Sequence, residues 1–391
     1  MSRARCSPAL PEELIVEILS WVSVKHLMRM RCVCKSWKSM ISDPTLVKLH
    51  LERSSKEPHV ILTLEDLSHD LEDDDHTYAI PYSVNHLLEN PSDTLDEDGC
   101  YQLKTNYWVV GSCNGLVCLY GFYVEDEFDK YWVRFWNPAT RMKSKKSPCL
   151  HVNPCCRRFR SFVSVKFGFG YDDSSDTYKV VFVLLDCRSE TIEVIIHCMG
   201  DNYWRKILNF PSFPILEQNG LFVNGTVNWL ALDKFGSHYQ WEVVTTNQLV
   251  IFSFDLQKET YKYLSLPDGL VDVPSDEPNL VVLRDCLCLF YDDRKTHFVV
   301  WQMREFGVGK SWNQLVKVSY EHLRCEGLLR PLLLLCISEN GDVLLLLNND
   351  DTEVITYNRR SNTAEHTEIP NDIVWWKGDD YFQSLVLPCP N

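Results

Sequence analysis

The chain has 391 residues, 45% hydrophobic and 12% aromatic, with 54 acidic against 39 basic residues and a net charge of −15. Twelve tryptophans and seventeen tyrosines exclude a largely disordered chain, and the acidic balance argues against a nucleic-acid binder, which needs a basic footprint to displace counterions. The longest apolar runs, such as PLLLLCI and VLLLL, fall far short of the roughly 18–20 residues of a membrane-spanning helix, and no apolar run of a secretory signal precedes Glu12 and Glu13.

Sixteen cysteines in so long a chain without an export signal read as reduced, mostly buried thiols rather than a disulfide scaffold. That places the protein in the cytoplasm and/or nucleus. Charge is unevenly spread: residues 1–55 hold nine Lys/Arg against five Asp/Glu, whereas residues 56–100 hold one against thirteen.

Residues 1–55 read as a small all-α unit of three short helices. Pro11 suits a helix start, and Glu12 and Glu13 favour the positive end of the helix dipole. Leu14, Ile15, Ile18, Leu19 and Val22 then recur at helical spacing. Ser23 can cap a second helix carrying Val24, Leu27 and Met28 and continuing toward Val33, Cys34 and Trp37. Asp43-Pro44 opens a third. The apolar faces are too wide for so small a unit, and surplus apolar surface marks a partner site. Cys32 and Cys34, two apart on a helix, would point about 200° from each other, so they form neither a metal clip nor a redox pair. Cys34 reads as a small buried hydrophobe, with Cys32 exposed.

LPEELIVEILSWVSVKHLMRMRCVCKSW resembles an F-box, the motif that docks on the Skp-family adaptor of SCF ubiquitin ligases. Leu10-Pro11, Glu17-Ile18-Leu19, Val24-Lys25, Leu27 and Val33-Cys34-Lys35-Ser36-Trp37 carry the likeness in order and spacing. LSWVSVK stands where family members often carry a Leu-Pro pair, which loosens the helix junction without removing the apolar face. The resemblance implies a docking surface on Leu10, Pro11, Leu14, Ile18, Leu19, Val24, Leu27 and Val33. Cys34 and Trp37 are assigned to the F-box core, Trp37 wedging the helices together.

The acidic stretch 56–100 reads as a linker or loop, with a candidate ring-closing strand in PHVILTL. It lacks the ordered spacing of a calcium loop. From residue 101 to 391 the texture is all β, in short runs broken by turn residues. VVGSCNGLVCLY is a hairpin closed by Asn114-Gly115, followed by VRFWNPATRMKSK, and this four-part plan recurs. The first turn of each unit falls near residues 115, 174, 225, 285 and 341, at intervals of roughly 50–60, as in propeller blades. Five units are explicit. A sixth is expected from PHVILTL, TYAIPY and the C-terminal YFQSLVL, which together would close the ring. The expected fold is therefore an F-box followed by a propeller-like domain of about six blades, with a pair of β-sandwiches as the alternative. GSCNGLVCL, WNPATR, FGFGYD…DTYKVV, VNGTVNWLA and IFSFDLQKETY resemble the F-box-associated interaction domain of plant F-box proteins, related to kelch-type propellers. The Gly-Gly pair of true kelch repeats is missing.

No motif points to catalysis, a cofactor or a metal. GVGKSW at 307–312 ends like a phosphate loop, but the required earlier glycine is Arg304. GFG at 168–170 lacks the third glycine of a dinucleotide site, and no Cys-x-x-Cys occurs. The reading is a non-catalytic substrate receptor: the F-box holds the Skp-family subunit and, through it, cullin, while the β domain holds an unidentified target protein, with neither nucleic acid nor membrane as partner. The alternatives are an F-box regulator acting without substrate turnover and a propeller enzyme. The target-binding residues stay unassigned, with the aromatics of WWKGDD at 375–380 weighed as a contact site against core packing.

Overall fold

The computed structural model describes residues 10–388 except 54–56, 67–75, 91–100, 104–106, 126–127, 153–164, 187–190, 211–212, 215–218, 234–240, 326, 329, 349–352 and 369–372. Four helices open it: α1 (Glu12–Leu19), α2 (Val24–Met30), α3 (Lys35–Ile41) and α4 (Pro44–Arg53). The expected three become four because the chain turns at 31–33 and Cys34 is extended (φ −161°, ψ 168°), so the stretch from Val24 to Trp37 is two helices.

Six antiparallel sheets follow, arranged as blades rather than as two packed sandwiches. Blade 1 begins with its innermost strand Tyr107–Cys113, blade 2 with Val165–Asp172, blade 3 with Leu221–Val223, blade 4 with Asn279–Leu283 and blade 5 with Leu333–Ile337. Each runs outward through its sheet as the chain advances. The five turns picked out by repeat spacing are the hairpins joining the first and second strands of these five blades. At Asn114-Gly115 both residues have positive φ (51° and 76°), as do Asn224-Gly225 (50° and 74°), the backbone a two-residue hairpin turn demands.

Blade 6 closes the ring by joining the two ends of the domain. Its innermost strand is Ile373–Tyr381, followed outward by His59–Asp66, His76–Ser83 and Tyr101–Leu103. Closure is as anticipated, but two placements differ. The C-terminal partner is Ile373–Tyr381, so 375–380 lies in a ladder strand and YFQSLVL is a tail beyond Tyr381. The stretch 56–100, expected as a linker or loop with a candidate ring-closing strand, supplies both PHVILTL and TYAIPY as blade strands and adds a short helix, α5 (Val84–Glu89). The propeller thus begins near residue 57, not 101.

Each blade buries both faces against its neighbours, which explains the near-continuous apolar runs; all seven residues of Thr226–Leu232 are buried. Separate apolar clusters fill the six interfaces between adjacent blades. One of them, between blades 2 and 3, is flanked by a charged network. Lys179 Nζ lies 2.8 Å from Asp172 Oδ2 and 3.1 Å from Glu259 Oε1, and donates to the Leu256 carbonyl at 2.7 Å.

Motifs that suggested nucleotide chemistry are structural. Gly168 and Gly170 lie in a strand where an added Cβ would strike Val227 and Phe222 respectively. Gly309–Ser311 is a single 3-10 turn leading into the strand Trp312–Ser319, as expected of a plain turn. No group of three or more metal-ligating side chains occurs among the described residues.

Candidate protein-docking face on the helices

The helical unit is small, so its core is one layer deep: Leu19, Val24, Leu27, Ile41 and Leu46 are buried together. Leu385 of the C-terminal tail completes this core, with Trp37 packed against it at half burial. On the outside, Leu10, just before α1, and Leu14 and Ile18 on it stand at 58, 50 and 55% exposure. Trp21, 62% exposed, extends the row at the next helical spacing, and Val33 stands 72% exposed in the turn before α3. Pro11 is exposed beside them. Large apolar side chains held out at helical spacing form an apolar surface that the described residues leave uncovered.

The expected docking set therefore divides. Leu10, Pro11, Leu14, Ile18 and Val33 lie on the surface. Leu19, Val24 and Leu27, at 2, 4 and 0% exposure, form the layer beneath it and hold the helices together. Helical periodicity marks an apolar side chain without saying which arc of the helix its own domain covers. Trp21 was missed because it follows the last turn of α1, where the sequence departs from the usual Leu-Pro junction.

Cys34 is also corrected. It is exposed and caps α3, its Sγ accepting from the Trp37 backbone N–H at 3.5 Å. Thiol in place of hydroxyl at a cap is the reason a buried role looked plausible from sequence. Cys32 is exposed, as expected. Behind the surface, Arg53 of α4 pairs with Glu17 of α1, and that hydrogen bond draws the Glu17 carboxyl below its ordinary range. Buried His50 bonds through Nε2 to the Val22 carbonyl at 2.9 Å, fixing α4 against the α1–α2 junction.

The helices are fastened to the propeller on the face where its first hairpins lie. Asn137, within WNPATR and fully buried, donates through Nδ2 to the carbonyls of Ser384 (3.0 Å) and Val386 (2.7 Å). Its Oδ1 accepts from the Thr140 N–H at 3.1 Å. The tail so held crosses the Asn114-Gly115 turn, where any Cβ on Gly115 would collide with Ser384. It then inserts Leu385 into the helical core, while Val47 and Leu51 of α4 pack on the core of blades 1 and 2. Lys48 pairs with Asp176 at 2.5 Å, an exposed contact worth little by itself.

An exposed apolar helical face is thus mounted on a six-bladed propeller. Residues 8–49 match the F-box domain and residues 71–387 the F-box associated beta propeller domain, so the chain belongs to the F-box proteins that carry this propeller. Among its relatives is an F-box/kelch-repeat protein of Arabidopsis thaliana, 29% identical over 97% of this chain and 96% of its own. The F-box protein CPR1 of the same plant is 25% identical over 97% of this chain and 89% of its own.

Proposed function

We propose that the chain is a substrate receptor of an SCF-type ubiquitin ligase. Its helices dock on the Skp-family subunit, and through it cullin, while the propeller holds a target protein for ubiquitin transfer. The observation that carries this reading is the row Leu10, Leu14, Ile18 and Trp21, exposed although the helices already have a core of their own. The chain's contribution to the chemistry is proximity: it keeps target lysines at high local concentration near the charged conjugating enzyme. The tail clamp supports this role, because a receptor that fixes the propeller against the docking helices limits where a held target can lie. The protein would act in the cytoplasm and/or nucleus.

The test is reconstitution. The purified chain should form a stable complex with a Skp-family subunit, and addition of cullin and conjugating enzyme should ubiquitinate proteins captured by the propeller. Complex formation without modification of any captured protein would favour a regulator without turnover. Absence of the complex would refute the docking assignment.

A further inference from the structure

The six innermost strands enclose an axial cavity of about 180 Å³, lined by residues of all six blades. Its walls are polar and apolar in equal measure, with Phe169, Phe222, Leu280 and Leu334 among the apolar side chains. Its charge is not balanced. Asp285, Asp379 and Asp380 line it against a single cation, Lys377.

Lys377 Nζ lies 2.6 Å from Asp379 Oδ1, so it answers one carboxylate. Asp379 is 5% exposed, and its second oxygen is buried with no hydrogen-bond partner. Asp285 and Asp380 form no ion pair among the described residues, and each stands near the carboxyl end of its inner strand. The Ser112 hydroxyl bonds to the Asp380 backbone carbonyl and leaves its carboxylate available. Asp380 is exposed to the channel; desolvation by the protein crowded around it, followed by the nearby charge of Asp285, pushes its carboxyl up to about 7. Crowding like charges and an unsatisfied carboxylate oxygen around a cavity costs the empty propeller stability, a cost that a bound cation would relieve.

We propose that the axial cavity is a receptor site for a guanidinium group, the side chain of an arginine on a bound target protein, with Asp285 and Asp380 as its acceptors and the buried, half-paired carboxylate of Asp379 adding negative charge beside them. A metal ion fits poorly, since no three ligating side chains converge on one point among the described residues. A guanidinium spreads five donors over a plane and can reach separated carboxylates, which a compact ammonium cannot do as well. Phe169, Phe222 and Leu280 offer apolar contact to its methylene stem. The acidic end opens on the face that also carries the helices, but beside them: α4 stands over blades 1 and 2, whereas Asp285 belongs to blade 4.

This inference rests on the reading of the propeller as a target receptor. It is tested with the full chain and a bead-displayed library of random decapeptides. Captured beads should be enriched in arginine over both lysine and neutral residues. The Asp285→Asn/Asp380→Asn double variant should lose that enrichment at least tenfold, with a melting temperature at or above that of the wild type and unaltered binding of the Skp-family subunit. Lysine enriched as strongly as arginine, no basic enrichment, or enrichment that survives in the double variant would each overturn the proposal. Arginine enrichment in a chain that fails to bind the Skp-family subunit would leave this site standing and remove the ligase reading instead.

Discussion

Lys179 shows how a single side chain can hold two blades. Burial opposes ionisation of Asp172, but hydrogen bonds from Lys179, Ser175 and Ser174 outweigh it and hold the carboxyl well below its ordinary range. Lys179→Met leaves that carboxylate buried without its cation and should destabilise the protein by roughly 3–5 kcal/mol, measured by denaturant unfolding. His50 works in the opposite sense. Burial pushes its pKa below the ordinary 6.5, against a weaker opposing pull from the Val22 carbonyl. The unfolded chain then takes up the proton first, so stability present above about pH 6.5 is lost as pH falls below it. His197 is lowered likewise by burial and adds to the same slope. The melting temperature should drop between pH 7.5 and 5.5, and His50→Gln should flatten part of that drop; an unchanged slope would contradict it. Neither residue was legible in the sequence, since partners 80 and 28 positions away in the chain leave no local pattern.

Among the elements, the α1 row separates docking from folding. Leu14→Asp and Ile18→Asp change side chains that are half exposed and should leave the melting curve in place while removing the partner. Leu27→Ala, in the buried layer, should instead cost about 2–5 kcal/mol of helical stability, detected as an earlier unfolding transition. Trp21→Ala should weaken binding of the Skp-family subunit several-fold without affecting folding. Blade hairpins were readable because Asn-Gly turns and repeat spacing are local signals. The closing strand was displaced because YFQSLVL alternates like a strand, and only the long-range hydrogen bonds of Asn137 show that it is a strap. The extended backbone at Cys34, which splits the second helix, is likewise invisible to periodicity.

As a whole, the molecule is two units joined through the tail segment Ser384–Val386 and the packing of α4 on blades 1 and 2. Without Ile373–Tyr381 blade 6 would lack its innermost strand, and without Leu385 the helices would lose part of their core. Asn137→Ala strands two tail carbonyls and should cost about 1–3 kcal/mol, seen as faster proteolysis between the helices and the propeller while the blades still melt together. One titration tests the docking face most directly: the purified chain against a Skp-family subunit by calorimetry, wild type beside the Leu14→Asp/Ile18→Asp variant. The predicted result is tight binding by the wild type and none by the variant at equal melting temperature. Undiminished binding by a folded variant would contradict it.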